Sequence, residues 1–309
     1  MKRIFYFLFI GTIILASCEQ ENNDPDPDGK DTTGVDYFTI TYDLNNGTGE
    51  VPIDTIKYSE GDLVVIKHNI GGLKGSEIST NIYERFLGWS ESADGSVVYE
   101  PNDYFKCDSN KTLYAVYTEG TSPDDVIGMA GQAGGLIIYD AGETKNWGRY
   151  IEAAPVDVSI GNASWGRADI DINGLDNITD NPPLSISRFE SEIGKGGEYS
   201  DIIISVYEGE NYAINLCMNY SIGEYDDWIL PSIGEVDLIY NNLYLKSIGN
   251  FQTEEAYLGY LSSTELDMIN IWQLIFKQHS NFTGGEKAGE AHGVRKDEFY
   301  SVRPIRYFN

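Results

Sequence analysis

Apolar and polar residues alternate along much of the first third of the chain. Phe38, Ile40 and Tyr42 fall on one side and Thr39 and Thr41 on the other. That is the two-residue period of a half-buried strand. Further short strands are predicted at 55–58, 63–66, 86–89 and 112–117, with turns at Asn45-Asn46-Gly47, Gly49 and Glu60-Gly61-Asp62. Residues 67–81 carry extra Gly and Ser and read as a long surface loop, an insertion that costs little. Residues 119–131, with Gly, Ser and Asp, read as a linker. Beyond it, 134–140 predicts a buried strand and 147–155 a second one running into a turn. Residues 194–219 predict two helical pieces. Ser200 would cap the first, with Ile202 and Val206 at helical spacing, and Tyr212, Leu216 and Cys217 would line the second. Ser232 followed by Glu235 forms a capping box. After it Val236, Ile239, Tyr240 and Leu243 mark one helix face. Trp272, Leu274 and Phe276 alternate with Gln273 and Ile275 as a strand, and 302–308 predicts a closing strand.

The N-terminus follows a different pattern. Lys2 and Arg3 precede an apolar run at 4–15. The run is shorter than the roughly 20 residues of a membrane-spanning helix and reads as a signal-peptide core. Leu15-Ala16-Ser17-Cys18 resembles a bacterial lipobox. The resemblance implies cleavage after residue 17 and a lipid on the Cys18 sulfur, which would anchor the chain to a membrane. An ordinary signal peptide with a chance cysteine is the alternative. Residues 18–36 are acidic and aperiodic and read as a tether. Glu19 and Glu21 resemble the surface-export signal of Bacteroidetes lipoproteins. The implied location is the outer membrane or cell surface.

Composition narrows the function. The 309 residues suggest two domains or one large one. Hydrophobic residues make up 41% of the chain, which excludes general disorder. Asp plus Glu is 49 against 21 Lys plus Arg, a net charge of −28, which disfavours nucleic acid as a partner. Three cysteines do not make a disulfide framework.

Two family resemblances add to this reading. Residues 37–118 resemble the InlB B-repeat, or Listeria–Bacteroides repeat. The similarity rests on Ile40-Thr41-Tyr42-Asp43, Asn46-Gly47, Phe86-Leu87-Gly88-Trp89, Tyr99 with Pro101, and Leu113-Tyr114-Ala115-Val116-Tyr117. It implies a small β-grasp-like module that serves as spacer or interaction unit. Residues 132–309 resemble the Lcl C-terminal domain family, related to C-type-lectin-like and formylglycine-generating-enzyme folds. That similarity rests on residues 134–140 and 150–155, Trp165-Gly166, Asp227-Trp228-Ile229-Leu230-Pro231-Ser232 leading into Glu235, Leu261-Ser262-Ser263-Thr264-Glu265 and Val302-Arg303-Pro304-Ile305-Arg306. Gly259-Tyr260-Leu261 departs from the family, which usually has Trp just before the paired serines. The expected class is therefore α+β: a β-grasp-like repeat followed by a mixed lectin-like domain that binds ligand at a loop-rich surface.

Candidate chemistry is sparse. Cys217 stands on a predicted helix face and reads as a buried thiol, while Cys107 lies in the other predicted domain. His68, His279 and His292 lack metal-ligand spacing, and there is no nucleophile elbow or phosphate loop. Asp169, Asp171, Asn173 and Gly174 match the start of a calcium loop, with Asp180 at the twelfth position instead of the longer Glu. An acidic surface loop is the competing reading. Arg303 and Arg306 are candidates for an anionic ligand, or for pairing with internal acids. Tyr257 and Tyr260, with Tyr220 and Tyr225, are candidate sugar or protein contacts. Trp89 reads as core. Glu100-Pro101-Asn102 looks like the C-type-lectin tripeptide but falls in the wrong domain.

The expected protein is a cell-envelope lipoprotein, not an enzyme, that binds an extracellular protein or glycan through its C-terminal domain, with the repeat as stalk. An assembly subunit docking on another surface protein is the alternative. An enzyme on the formylglycine-generating-enzyme-like fold is a third reading.

Overall fold

A computed structural model describes residues 36–119, 125–175, 189–207, 211–251, 257–278 and 288–309. The leader, the lipobox with Cys18 and most of the tether lie outside these residues. Contacts divide the chain into Met1–Tyr37 and Phe38–Asn309, and the second unit contains everything that follows.

The first lobe is built on a five-stranded sheet. Its strands are β1 (Ile40–Asp43), β2 (Thr48–Glu50), β4 (Gly71–Ser79), β5 (Ile82–Ser90) and β7 (Lys111–Tyr117), in the order β1-β7-β5-β4-β2. β1 runs parallel to β7 and the other pairs are antiparallel. A two-stranded ladder joins β3 (Leu63–Val65) to β6 (Tyr104–Lys106). Ile40, Tyr42, Val64, Phe86, Leu113 and Ala115 point inward on the period of two and pack around Trp89, which is fully buried. The predicted loop at 67–81 is instead mostly β4, hairpinned to β5. Its inward Leu73 is buried, and the glycines that suggested a loop allow close backbone approach. The predicted strand at 55–58 is reduced to one bridge, Phe38 with Tyr58.

The second lobe holds a three-stranded sheet and a five-stranded sheet. The first contains β8 (Leu136–Asp140), β9 (Tyr150–Ala153) and β15 (Ile305–Phe308), ordered β15-β9-β8. The second contains β10 (Ser159–Ser164), β11 (Tyr257–Glu265), β12 (Asn270–Gln278), β13 (Ala291–Arg295) and β14 (Phe299–Val302), ordered β10-β14-β11-β12-β13. The expected closing strand at 302–308 is two strands in two sheets. Pro304 lacks the amide to continue a ladder, and the chain changes sheet there.

Helices α1 (Gly196–Tyr207), α2 (Ala213–Met218) and α3 (Ile233–Asn242) occupy one stretch of the chain. Ser232 caps α3 as predicted: its Oγ accepts from the Glu235 amide, and Glu235 Oε2 accepts from the Ser232 amide. Ser200 is not a cap. It lies inside α1, and its hydroxyl pairs with both backbone groups of Leu230. The α+β expectation is therefore corrected. Strand accounts for 37% of the structure and helix for 14%, so the fold is β-rich, with three short helices among the described residues laid against curled sheets. The misreading has a physical source: the helix signals are strong but local, whereas the sheets are assembled from many short segments paired across long sequence distances.

Residues 125–131, read as the end of a linker, are packed rather than free. Ala130 bridges to Tyr83 on one side and Leu136 on the other, so the backbone ladders of the two lobes are continuous. Val126 and Met129 bury against Ile82, Ile137, Tyr150 and Phe308 in a core drawn from both lobes. Gly72 and Gly134 meet at this seam with left-handed backbones, φ +65° and +85°. A Cβ on Gly72 would lie 2.6 Å from the Ala133 carbonyl, and one on Gly134 would collide with the Gly72 backbone. Only glycine fits either position.

Candidate functional site

A groove opens between the lobes, and two rigid turns form its rims. On the first lobe, the Glu100 amide donates to Asp103 Oδ2 at 2.8 Å and the Asp103 amide to the Glu100 carbonyl. The Asn102 amide donates to the Ile66 carbonyl, while the Asn102 side chain meets His68 Nε2 at 2.8 Å. On the second lobe, the rim is the 3-10 turn Tyr244–Lys246 and the loop to Phe251. Ser247 and Asn250 hold left-handed φ of 55° and 51°. Asn adopts that conformation readily, as Asn45, Asn46, Asn81 and Asn102 do here, whereas for Ser it is uncommon.

The outer compartment encloses about 710 Å³ and is lined by Glu100, Asn102, Asp103, Tyr244, Leu245 and Phe251, among others. The inner one encloses about 350 Å³, with Asn69, Arg85, Glu100, Lys246, Ser247 and Asn250 on its walls. Glu100, Ser247, Ile248 and Asn250 line both, so they form one continuous groove. These volumes fall in the range of ligand pockets. Half-buried aromatic faces beside amide and hydroxyl groups are the surfaces that sugars and peptides use.

The second lobe's rim is held from beneath by a buried network. Arg303 Nε pairs with Asp157 Oδ1 at 2.5 Å, and its Nη1 donates to the carbonyls of Ala154 at 3.0 Å and Gly249 at 2.9 Å. The guanidinium stacks 4.3 Å from the Phe251 ring centroid. Tyr260 completes the network, its hydroxyl donating to Asp157 Oδ2 at 2.8 Å. Burial pushes the Tyr260 phenol well up, so it stays a neutral donor. Arg303 and Tyr260, both candidate ligand contacts from sequence, are thus buried supports for the loop that walls the groove.

Arg306 is likewise committed internally. It bonds Asp227 through Nε at 2.7 Å and Nη2 at 3.0 Å, and Glu152 through Nη1 at 2.7 Å. Glu152 is fully buried and also accepts the amides of Ala133 and Gly135. Burial pushes its carboxyl up while Arg306 and the two amides oppose the rise. Tyr225 packs under Arg306, and Tyr220 against Trp228. Tyr257 opens β11, opposite Gln278 in the backbone ladder.

The calcium-loop candidates are only partly described. Arg167 pairs with Asp169 at 2.9 Å on an exposed surface, which holds the Asp169 carboxyl below its ordinary range. Asp171 and Asn173 are exposed and Gly174 turns the chain at φ +98°. Asp180 lies outside the described residues. Among the described residues no three His, Cys, Asp or Glu side chains gather as a metal site. Cys107 and Cys217 are free and buried, and burial drives the Cys217 thiol well above its ordinary pKa.

The residue that sequence reasoning missed is Arg85. It sits in mid-β5 and lines the inner compartment. No described hydrogen bond or ion pair engages its guanidinium, and its Nε is buried without a partner. Burial pushes its pKa down, and no described carboxylate opposes the shift. Nothing in the sequence around Arg85 marks it, because whether an arginine is paired depends on tertiary contacts.

No family model matches the chain, and no curated protein matches it. Among solved structures the chain is similar to a fimbrial protein from Bacteroides ovatus ATCC 8483, at 12% identity and a TM-score of 0.34. The match covers 64% of this chain and 50% of that one, so this chain spans half that protein's length. A likeness this distant carries no functional argument. Among the described residues no helix is long and apolar enough to cross a membrane.

Proposed function

We propose that the protein is a lipid-anchored envelope protein that binds an extracellular glycan or protein, without catalysis, in the groove between its lobes. The lipobox at Cys18 and the acidic tether support the location. The observation that carries the binding reading is the groove itself: a continuous, two-compartment cleft with aromatic and amide walls and a loop held by a buried arginine.

The test uses the purified protein lacking residues 1–17 on an array of glycans and extracellular-matrix proteins. Leu245 lines the outer compartment and is 57% exposed, so Leu245→Glu should leave the fold intact. The expected outcome is saturable binding to one ligand class, weakened about tenfold or more by Leu245→Glu. Binding that Leu245→Glu leaves unchanged would move the site out of the groove.

One observation favours the assembly-subunit reading. Leu63, Val65 and Tyr104 are 58%, 53% and 70% exposed on the outer face of the β3–β6 ladder. Sedimentation that shows self-association, abolished by Val65→Lys, would support it.

A further inference from the structure

We propose that Arg85 anchors a carboxylate-bearing sugar, of the uronic- or sialic-acid type, in the inner compartment of the groove. This rests on the reading of the groove as the binding site and names the chemistry of its ligand.

The starting observation is an imbalance. The chain carries 49 acidic residues against 21 basic ones. Carboxylates are abundant, and the other described arginines each hold one: Arg149 with Asp140, Arg167 with Asp169, Arg295 with Asp297, Arg303 with Asp157, Arg306 with Asp227 and Glu152. Arg85 has none. Its cross-strand neighbour is another cation, Lys74, which turns to the Gln132 carbonyl and the Tyr83 ring. Like charges placed opposite each other in a ladder are unfavourable, and a half-buried cation without a counter-charge costs stability. A position that gives nothing back to the fold is one where a ligand can supply the missing partner.

The guanidinium fork matches a carboxylate bidentately. The rest of the wall fits a sugar. Asn250 offers an amide and Ser247 a hydroxyl, and the adjoining compartment presents the half-buried rings of Tyr244 and Phe251. Glu100 lines both compartments and Asp103 the outer one. With the chain's overall negative charge, they select against polysulfated or polyphosphate ligands while tolerating a single carboxylate seated on Arg85.

The experiment is calorimetric titration of the purified protein with sialyllactose and a glucuronic-acid disaccharide. Their carboxyl methyl esters serve as neutral analogues, and a short peptide ending in Glu serves as the non-sugar carboxylate. The expected result is that one acidic sugar binds, its ester binds about tenfold to a hundredfold more weakly, and Arg85→Met loses the same factor for the acid alone. The melting temperature of Arg85→Met should equal or exceed that of the parent, which a structural role would not allow. If acid and ester bind alike and Arg85→Met changes neither, the inference fails while the groove reading stands, provided Leu245→Glu weakens both. Peptide binding at Arg85 without sugar binding overturns the sugar assignment. A loss of melting temperature in Arg85→Met assigns the residue to the fold. No binding by any acidic or neutral glycan here, together with a blank glycan and matrix array, would sink both readings.

Discussion

Arg303 and Arg306 have the same charge and stand three residues apart, yet each role is set by what the fold brings to it. Arg303 reaches Asp157 and the Gly249 carbonyl, so it fixes a loop. Arg306 reaches Glu152 and Asp227, so it closes the edge of a sheet. Their type and rough place were legible in the sequence, but their partners were not, since Asp157 lies 146 positions away. Asp237 is a second case. It is 8% exposed on α3, and burial pushes its carboxyl up to about 6. The folded protein therefore holds this proton more tightly than the unfolded chain, whose Asp titrates near 3.9. Stability should fall as pH rises from about 4 to about 6, and the penalty should persist above that. Asp237→Asn should thus stabilise the protein by about 1–2 kcal/mol at pH 7 and have no effect below pH 4. Urea unfolding of both proteins across that range would check it. An equal effect at both ends would mean that the amide, not the lost charge, is responsible.

At the scale of elements, local signals read well and long-range ones poorly. The capping box at Ser232, the strand around Trp272 and the helix near Ile202 each rest on signals within a few residues and each appears, although α1 buries Tyr199, Ile203 and Tyr207 and leaves Val206 exposed. The stretch at 67–81 failed because its glycines suggested a loop, while its strand character comes from the hairpin to β5 and the burial of Leu73. The groove was illegible for the same reason: its rims, at 100–103 and 244–251, are brought together only by the seam. That seam depends on Gly72 and Gly134. Gly134→Ala must strain a left-handed backbone and push against the Gly72 carbonyl. It should cost about 1–3 kcal/mol, whereas Gly142→Ala, at a similar φ of 74° with open space around its Cβ, should cost less. Thermal melts of the two variants give a direct comparison. Equal losses would show that backbone strain alone, and not the seam contact, sets the penalty.

At the scale of the whole molecule, the two lobes belong to one contact unit and share a core. The ladder runs unbroken through Ala130 from β5 to β8. Ile82 of the first lobe buries in a core with Ile137, Tyr150 and Phe308 of the second. Asn81 Nδ2 donates to the Asn309 carbonyl at 2.7 Å, tying the first lobe to the last residue of the chain. Chains beyond about 150 residues usually unfold in more than one step, because separate cores let go separately. Here the small core that Ile82 shares with Ile137, Tyr150 and Phe308 couples the opening of one lobe to exposure of the other's apolar surface. The protein lacking residues 1–17 should therefore melt in a single calorimetric transition, with calorimetric and van't Hoff enthalpies in agreement. Ile82→Ala, which empties the shared core, should lower that one transition by about 2–5 kcal/mol without splitting it. Two transitions in the parent would mean that the lobes are independent and the groove between them is free to change width. A split that appears only in Ile82→Ala would mean that the shared core alone couples them, and binding in the groove would then have to restore the single transition.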